Sequence, residues 1–77
     1  QLVDGWHDKR IAVMRSVVTA KFDQHEHLRA KLIATGDAVL VEGNQWRDTF
    51  WGVCNGTGAN WLGKILMDLR ASYTTQR

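Results

Sequence analysis

Cysteine is nearly missing from this chain: Cys54 is the one thiol among 77 residues. A single thiol cannot close an internal disulfide, so a reducing compartment, the cytoplasm, is expected. There Asn55-Gly56-Thr57, formally a glycosylation sequon, stays idle. No apolar run approaches the roughly 20 residues of a membrane-spanning helix, and no signal-peptide pattern is visible. A membrane is therefore not expected as a partner. Neither sign of charge dominates, since ten Lys and Arg against eight Asp and Glu leave a formal +2. That balance suits an anionic ligand without calling for nucleic acid. The three histidines, His7, His25 and His27, lack ligand spacing, and two residues apart on a helix point to different sides. A metal site is not expected. Repeats, low-complexity tracts and internal domain boundaries are also absent.

What remains is the composition of one small globular domain over residues 1–77. Its apolar fraction is 44%, ordinary for a folded protein. A chain this short buries only about 60% of its unfolded surface and is marginal alone. Four Trp is a high count for this length; they suit a core, a partner surface or a platform for flat ligands. The first residue is Gln1 rather than Met, which suggests an excerpt or a processed product.

Periodicity lays out the chain. Asp4 is a plausible N-cap for a helix over 5–22. Ile11, Met14, Val18 and Phe22 form one stripe on it; Trp6, Arg10, Val13 and Val17 form a second. Together they predict one wide buried face. Asp23-Gln24-His25-Glu26 reads as a capping box. It opens a second helix from 24 to about 35, with Gly36 at its left-handed end. Ala38 to Val41 is a β-favouring run, and 42–45 a turn. Residues 46–51 could pair back as a hairpin strand or be irregular, and as a helical turn they would put Asp48 and Trp51 side by side; the sequence does not decide. A third helix is predicted from about Asn60 to Thr75, with Leu62, Ile65, Leu66, Leu69 and Tyr73 at spacings of three and four. The expected fold is mainly α: a small orthogonal bundle of about three helices with a short β element.

Chemistry concentrates in 46–70. Asp48 sits among Trp46, Phe50 and Trp51. The loop Asn55-Gly56-Thr57-Gly58-Ala59-Asn60 feeds the third helix, where bare backbone N–H groups and the helix dipole would suit a phosphate or sugar hydroxyl. Asn60 could also cap that helix. Each residue has a plainer alternative. Asp48 could be a solvated acid beside Arg47, Glu42 a strand end, and Trp51 a core aromatic. Lys21 could be a solvated cation, and Arg70 a cation suited to the end of its helix. Gly58 to Lys64 fits G-x-x-x-x-G-K, but Ile65 replaces the hydroxyl residue that would hold Mg²⁺, so no P-loop is inferred. Cys54 lacks a base partner and reads as a small apolar residue.

Asp48, Trp51, Gly52, Gly58, Asn60, Leu62, Gly63, Leu66, Met67 and Arg70 together resemble the closing signature of the NADAR family, the YbiA-like N-glycosidases associated with NAD and ADP-ribose. Upstream, Trp6, Met14, Lys21, Phe22, Leu32, Thr35, Gly36, Leu40, Val41 and Glu42 match in order. The resemblance spans nearly the whole chain and corresponds to the carboxy-terminal half of a family domain. It implies hydrolysis of an N-glycosidic bond to ribose, in ADP-ribosylated bases or ribosylamino intermediates of riboflavin synthesis. It implies Asp48 as the carboxylate catalyst and Glu42 as a supporting acid. Trp51, Asn55, Gly56, Gly58, Asn60, Lys21 and Arg70 would be ligand contacts. No cofactor is implied. The implied partner is a small ribosyl nucleotide such as ADP-ribose, with ADP-ribosylated nucleic acid as a carrier of it. A non-catalytic ADP-ribose-binding module and a half-domain completed by a second copy or another chain are the alternatives.

Overall fold

The computed structural model describes the backbone of residues 2–44 and 49–75, and the side chains of 8–43 and 49–75. Three helices carry the fold: α1 (Leu2–Gln24), α2 (Glu26–Ala34) and α3 (Trp61–Thr75). Each packs against the other two. The mainly helical architecture expected from periodicity is the one observed. Among the described residues no helix is long and apolar enough to cross a membrane.

The core is where the three helices meet. Val18, Leu32, Ile65 and Leu69 are buried there, and Ile11, Met14, Phe22, Leu62 and Leu66 pack around them. Ile65 is fully buried, which contributes about 1.5–3 kcal/mol. The first predicted stripe of α1 therefore faces the core. On the second, Val13 and Val17 are each 58% exposed, and the Trp6 side chain lies outside the described residues. Asp4 lies inside α1 rather than at its cap.

The corner between α1 and α2 also differs from expectation. One residue, His25, separates the helices and occupies the N-cap position without a side-chain cap bond. The predicted capping box does not form, because the Asp23 carboxylate has another partner. It accepts the Tyr73 hydroxyl hydrogen bond at 2.6 Å, from the far end of α3. Arg29 closes the corner instead, donating from Nη1 to the carbonyls of Phe22 and Asp23 at 3.1 and 2.8 Å. A cation on the last carbonyls of α1 also suits the helix dipole. Gly36 takes φ +65° at the end of α2, as predicted.

Partial burial, and then the hydrogen bond to Asp23, push the Tyr73 phenol from its ordinary 10.0 up to about 12. The neutral phenol is thus favoured in the folded state. The stability it contributes is complete below pH 10 and is lost as pH rises through about 12. Tyr73→Phe should cost roughly 0.5–1 kcal/mol at pH 8, the worth of one exposed hydrogen bond. Urea titrations should show the two proteins converging between pH 10 and 12; a gap unchanged across that window would deny the hydrogen bond its role.

The β element is small, and its two strands do not form a hairpin. β1 (Gly43–Asn44) pairs in parallel with β2 (Val53–Cys54). Residues 38–41 form no ladder. They run along α3, where the Leu40 N–H donates to Met67 Sδ at 3.5 Å and the Leu40 carbonyl accepts from Asn60. A β-favouring run becomes a strand only where a neighbouring backbone reaches it, and here that neighbour reaches only 43–44.

Candidate functional site

The site is best built from the turn that follows β2. Asn55 and Gly56 have φ of 53° and 80°, the paired positive values of an Asn-Gly type I′ turn. Cys54 and Thr57 exchange both backbone hydrogen bonds across it, at 2.9 and 3.1 Å. Asn55 and Gly56 therefore sit exposed at a tight tip. Gly58, at φ 153°, lies so close to the Gly52 carbonyl that a Cβ there would collide with it. Cys54 is buried, in keeping with a small apolar role.

This turn returns the chain onto residues 49–52, and the two segments join backbone to backbone. The N–H groups of Ala59, Asn60, Trp61 and Leu62 donate to the carbonyls of Thr49, Gly52, Phe50 and Trp51, at 2.8, 3.3, 3.1 and 2.9 Å. These include donors at the start of α3 that the sequence suggested for an anion. They are already satisfied from within the chain, so the expectation of bare amides does not hold.

Asn60 adds a third segment to the junction. It adopts φ 57°, a conformation Asn tolerates better than most residues. Its carbonyl accepts the Lys64 N–H at 3.0 Å, as an N-cap residue does. Its side chain lies over the first turn of α3, against Gly63, and bonds to another segment. Oδ1 accepts the Glu42 N–H and Nδ2 donates to the Leu40 carbonyl, both at 2.9 Å. The Glu42 carbonyl in turn accepts the Val53 N–H at 2.7 Å. Gly63 lets α3 approach this clasp, since a Cβ there would strike the Leu40 carbonyl and the Asn60 amide.

The candidate side chains distribute around this junction. Asp48 and Trp46 lie outside the described residues; Thr49, next in the chain after Asp48, is bonded into the junction through its carbonyl. Glu42 is exposed and lines a cavity of about 310 Å³ with Lys31, Thr35, Leu40 and Gly63. Arg70 is only 8% exposed. Its Nη1 donates to Thr35 Oγ1 at 2.8 Å, and that hydroxyl donates to the Leu32 carbonyl. Arg70 thus stands behind one wall of the Glu42 cavity. Trp51 is half-buried and meets Phe50 edge-on, with ring centroids 4.7 Å apart. It lines a separate groove of about 340 Å³ with Arg10, Val13 and Val17. Lys21 is exposed in the last turn of α1.

The junction thus brings Glu42, Trp51, Gly58 and Asn60 onto one hydrogen-bonded frame, with Glu42 and Trp51 facing different hollows. Arg10 joins them without belonging to any motif. Its guanidinium lies 4.0 Å from the Phe50 ring centre and 5.6 Å from that of Trp51, a cation–π arrangement that fixes the aromatic pair. A cation inside the Trp6, Val13 and Val17 stripe was its only signal in the sequence. Among the described residues no three His, Cys, Asp or Glu side chains are grouped as metal ligands.

These features define a small, mainly helical domain whose polar and aromatic candidates hang on the start of its last helix. The chain belongs to the NADAR family: the NADAR domain matches residues 2–73. It is 44% identical over 74 residues to the N-glycosidase YbiA of Shigella boydii, covering 95% of this chain and 46% of that protein. It is 42% identical over 71 residues to the chloroplastic riboflavin biosynthesis protein PYRR of Arabidopsis thaliana, covering 91% of this chain and 12% of that one. A riboflavin biosynthesis protein of Vibrio vulnificus is 47% identical over 66 residues, or 84% and 18% of the two chains. The chain therefore spans about half the length of YbiA. No solved structure gives a significant match.

Proposed function

We propose that this chain is an N-glycosidase that hydrolyses an N-glycosidic bond to ribose. The observation that carries this proposal is its 44% identity, over 95% of its length, to a protein named as an N-glycosidase. The relatives named for riboflavin biosynthesis support ribosylamino compounds as one substrate class. ADP-ribosylated guanine is the other class proposed. In either, the bond from ribose C1′ to the base nitrogen breaks as positive charge develops on the sugar. Asp48 stabilises that charge or takes a proton from the attacking water. Trp51 stacks on the leaving ring, with Arg10 and Phe50 holding the indole in place. Glu42 is the supporting acid, and Asn60 sets its position by gripping its backbone N–H. The reaction is expected in the cytoplasm.

Incubation with ADP-ribosylated guanosine, and separately with a ribosylamino pyrimidine, tests this directly. Free ADP-ribose, or free base, is the expected product. Saturable ADP-ribose binding without turnover would replace the hydrolase with a nucleotide-binding module. Absence of both binding and turnover would reject the proposal.

A further inference from the structure

Of the chain's three asparagines, Asn55 alone is followed by glycine; Gln45 follows Asn44 and Trp61 follows Asn60. Asn55 and Gly56 are both exposed at the tip of the turn after β2. No hydrogen bond among the described residues engages the Asn55 side-chain amide or the Gly56 N–H. The Asn60 amide, by contrast, is held through both its oxygen and its nitrogen. Gly56 has no Cβ to shield its backbone nitrogen, and the space where one would stand is open to 4 Å. A side-chain amide and an unshielded main-chain nitrogen, adjacent in the chain and both free, can react with each other.

We infer that Asn55 is a site of spontaneous deamidation. The Gly56 backbone nitrogen, its proton taken by base, attacks the side-chain carbonyl carbon of Asn55. A C–N bond forms there, and the side-chain nitrogen takes up a proton and leaves as ammonia. The product is a succinimide ring. Water then adds to one of the two ring carbonyl carbons and breaks its bond to the Gly56 nitrogen. Opening at the former side-chain carbon gives an aspartate; opening at the main-chain carbon gives an isoaspartate. Either product carries a new carboxylate, so the formal charge falls by one from +2. The two differ in what they do to the frame. An aspartate before glycine accepts the same type I′ turn, so the Cys54 and Thr57 hydrogen bonds persist. An isoaspartate routes the backbone through the former side chain and lengthens the tight loop by a methylene. Cys54 and Thr57 then no longer face each other across their bridge. That bridge aims residues 58–62 at the carbonyls of 49–52, so the isoaspartate loosens the frame that carries Trp51 without touching Trp51 itself.

The test incubates the wild-type protein at pH 7 and at pH 9, digests it, and follows the peptide containing Asn55 by mass spectrometry. The mass change of amide to acid should appear at Asn55 and not at Asn44 or Asn60 over the same period. It should be at least tenfold faster at pH 9, because the deprotonated fraction of a weakly acidic nitrogen rises with pH. Asn55→Gly, which keeps a residue that accepts positive φ, should show no mass change. Chromatography separates the two products. Hydrogen exchange at the Cys54 and Thr57 amides should match the unmodified protein in the aspartate form and be at least tenfold faster in the isoaspartate form. Asn55 still unmodified in the folded protein at pH 9, after the same residue has fully reacted in the urea-unfolded chain, would overturn the inference. Equal exchange in the two products would overturn the assigned effect on the frame. None of these readouts uses a ligand or turnover, so failure of the hydrolase proposal and failure of this one are separate results.

Discussion

Gly63→Ala should destabilise the protein by roughly 2–4 kcal/mol, although alanine is the better helix former by about 1 kcal/mol. Gly63 is buried in the first turn of α3. A methyl group there meets the Leu40 carbonyl and both terminal atoms of the Asn60 amide. Those same atoms make the two hydrogen bonds that fix residues 40–42. The methyl must either displace the clasp or push α3 away from it. Losing two hydrogen bonds, one part-buried and one exposed, costs about 1 kcal/mol each, and overpacking adds about 1–3 kcal/mol. A domain of this size has a total stability of only about 4–12 kcal/mol. The melting temperature should therefore fall by roughly 10–25 °C. Gly43→Ala is the control, because nothing lies within 4 Å of its added carbon. Equal melting of the two variants would show that α3 does not depend on the clasp.

Asp48→Asn should lower turnover by about 10²–10⁴-fold, the usual worth of a positioned acid or base, while shifting the melting temperature little. The substitution keeps the shape of the side chain and removes its charge, and charge is what a developing ribosyl cation requires. Glu42→Gln should cost less, since its proposed role is support. Rates from single-turnover measurements on the ribosyl substrate would separate them. Wild-type turnover in Asp48→Asn would remove this residue as the catalyst, and a larger loss in Glu42→Gln would exchange the two roles.

The helices were legible because their apolar residues repeat at the right period and the core uses that period. Ile65 and Leu69 in α3, Val18 in α1 and Leu32 in α2 are the buried residues of the pattern. Gly36 was legible because few other residues accept its backbone angle at low cost. The same periodicity misled at Val13 and Val17, since it marks a face as apolar without saying whether a neighbour covers it. The capping box at Asp23 was overridden by a tyrosine 50 residues away, a competitor that no local pattern contains. Ala38 to Val41 had β propensity but no ladder partner. The amides of Trp61 and Leu62 at the start of α3 look free from residue types for a related reason. Their partners are backbone carbonyls of 49–52, and a carbonyl leaves no signature in residue type. At the site, the motif residues Trp51, Gly58, Asn60 and Gly63 prove to share the junction, three of them in plainly structural contacts. Arg10 escaped notice because its role depends on how α1 lies beside Phe50 and Trp51.

The central claim is that a ribosyl nucleotide is held at this junction, against Trp51. The most direct test is an ADP-ribose titration followed by amide and indole signals in ¹H–¹⁵N spectra of the labelled protein. Saturable shifts should concentrate at the Trp51 indole N–H, at Gly52 and at Glu42, with the far end of α3 unaffected. No shift at saturating ligand, or shifts confined to residues away from 42 and 49–52, would contradict it.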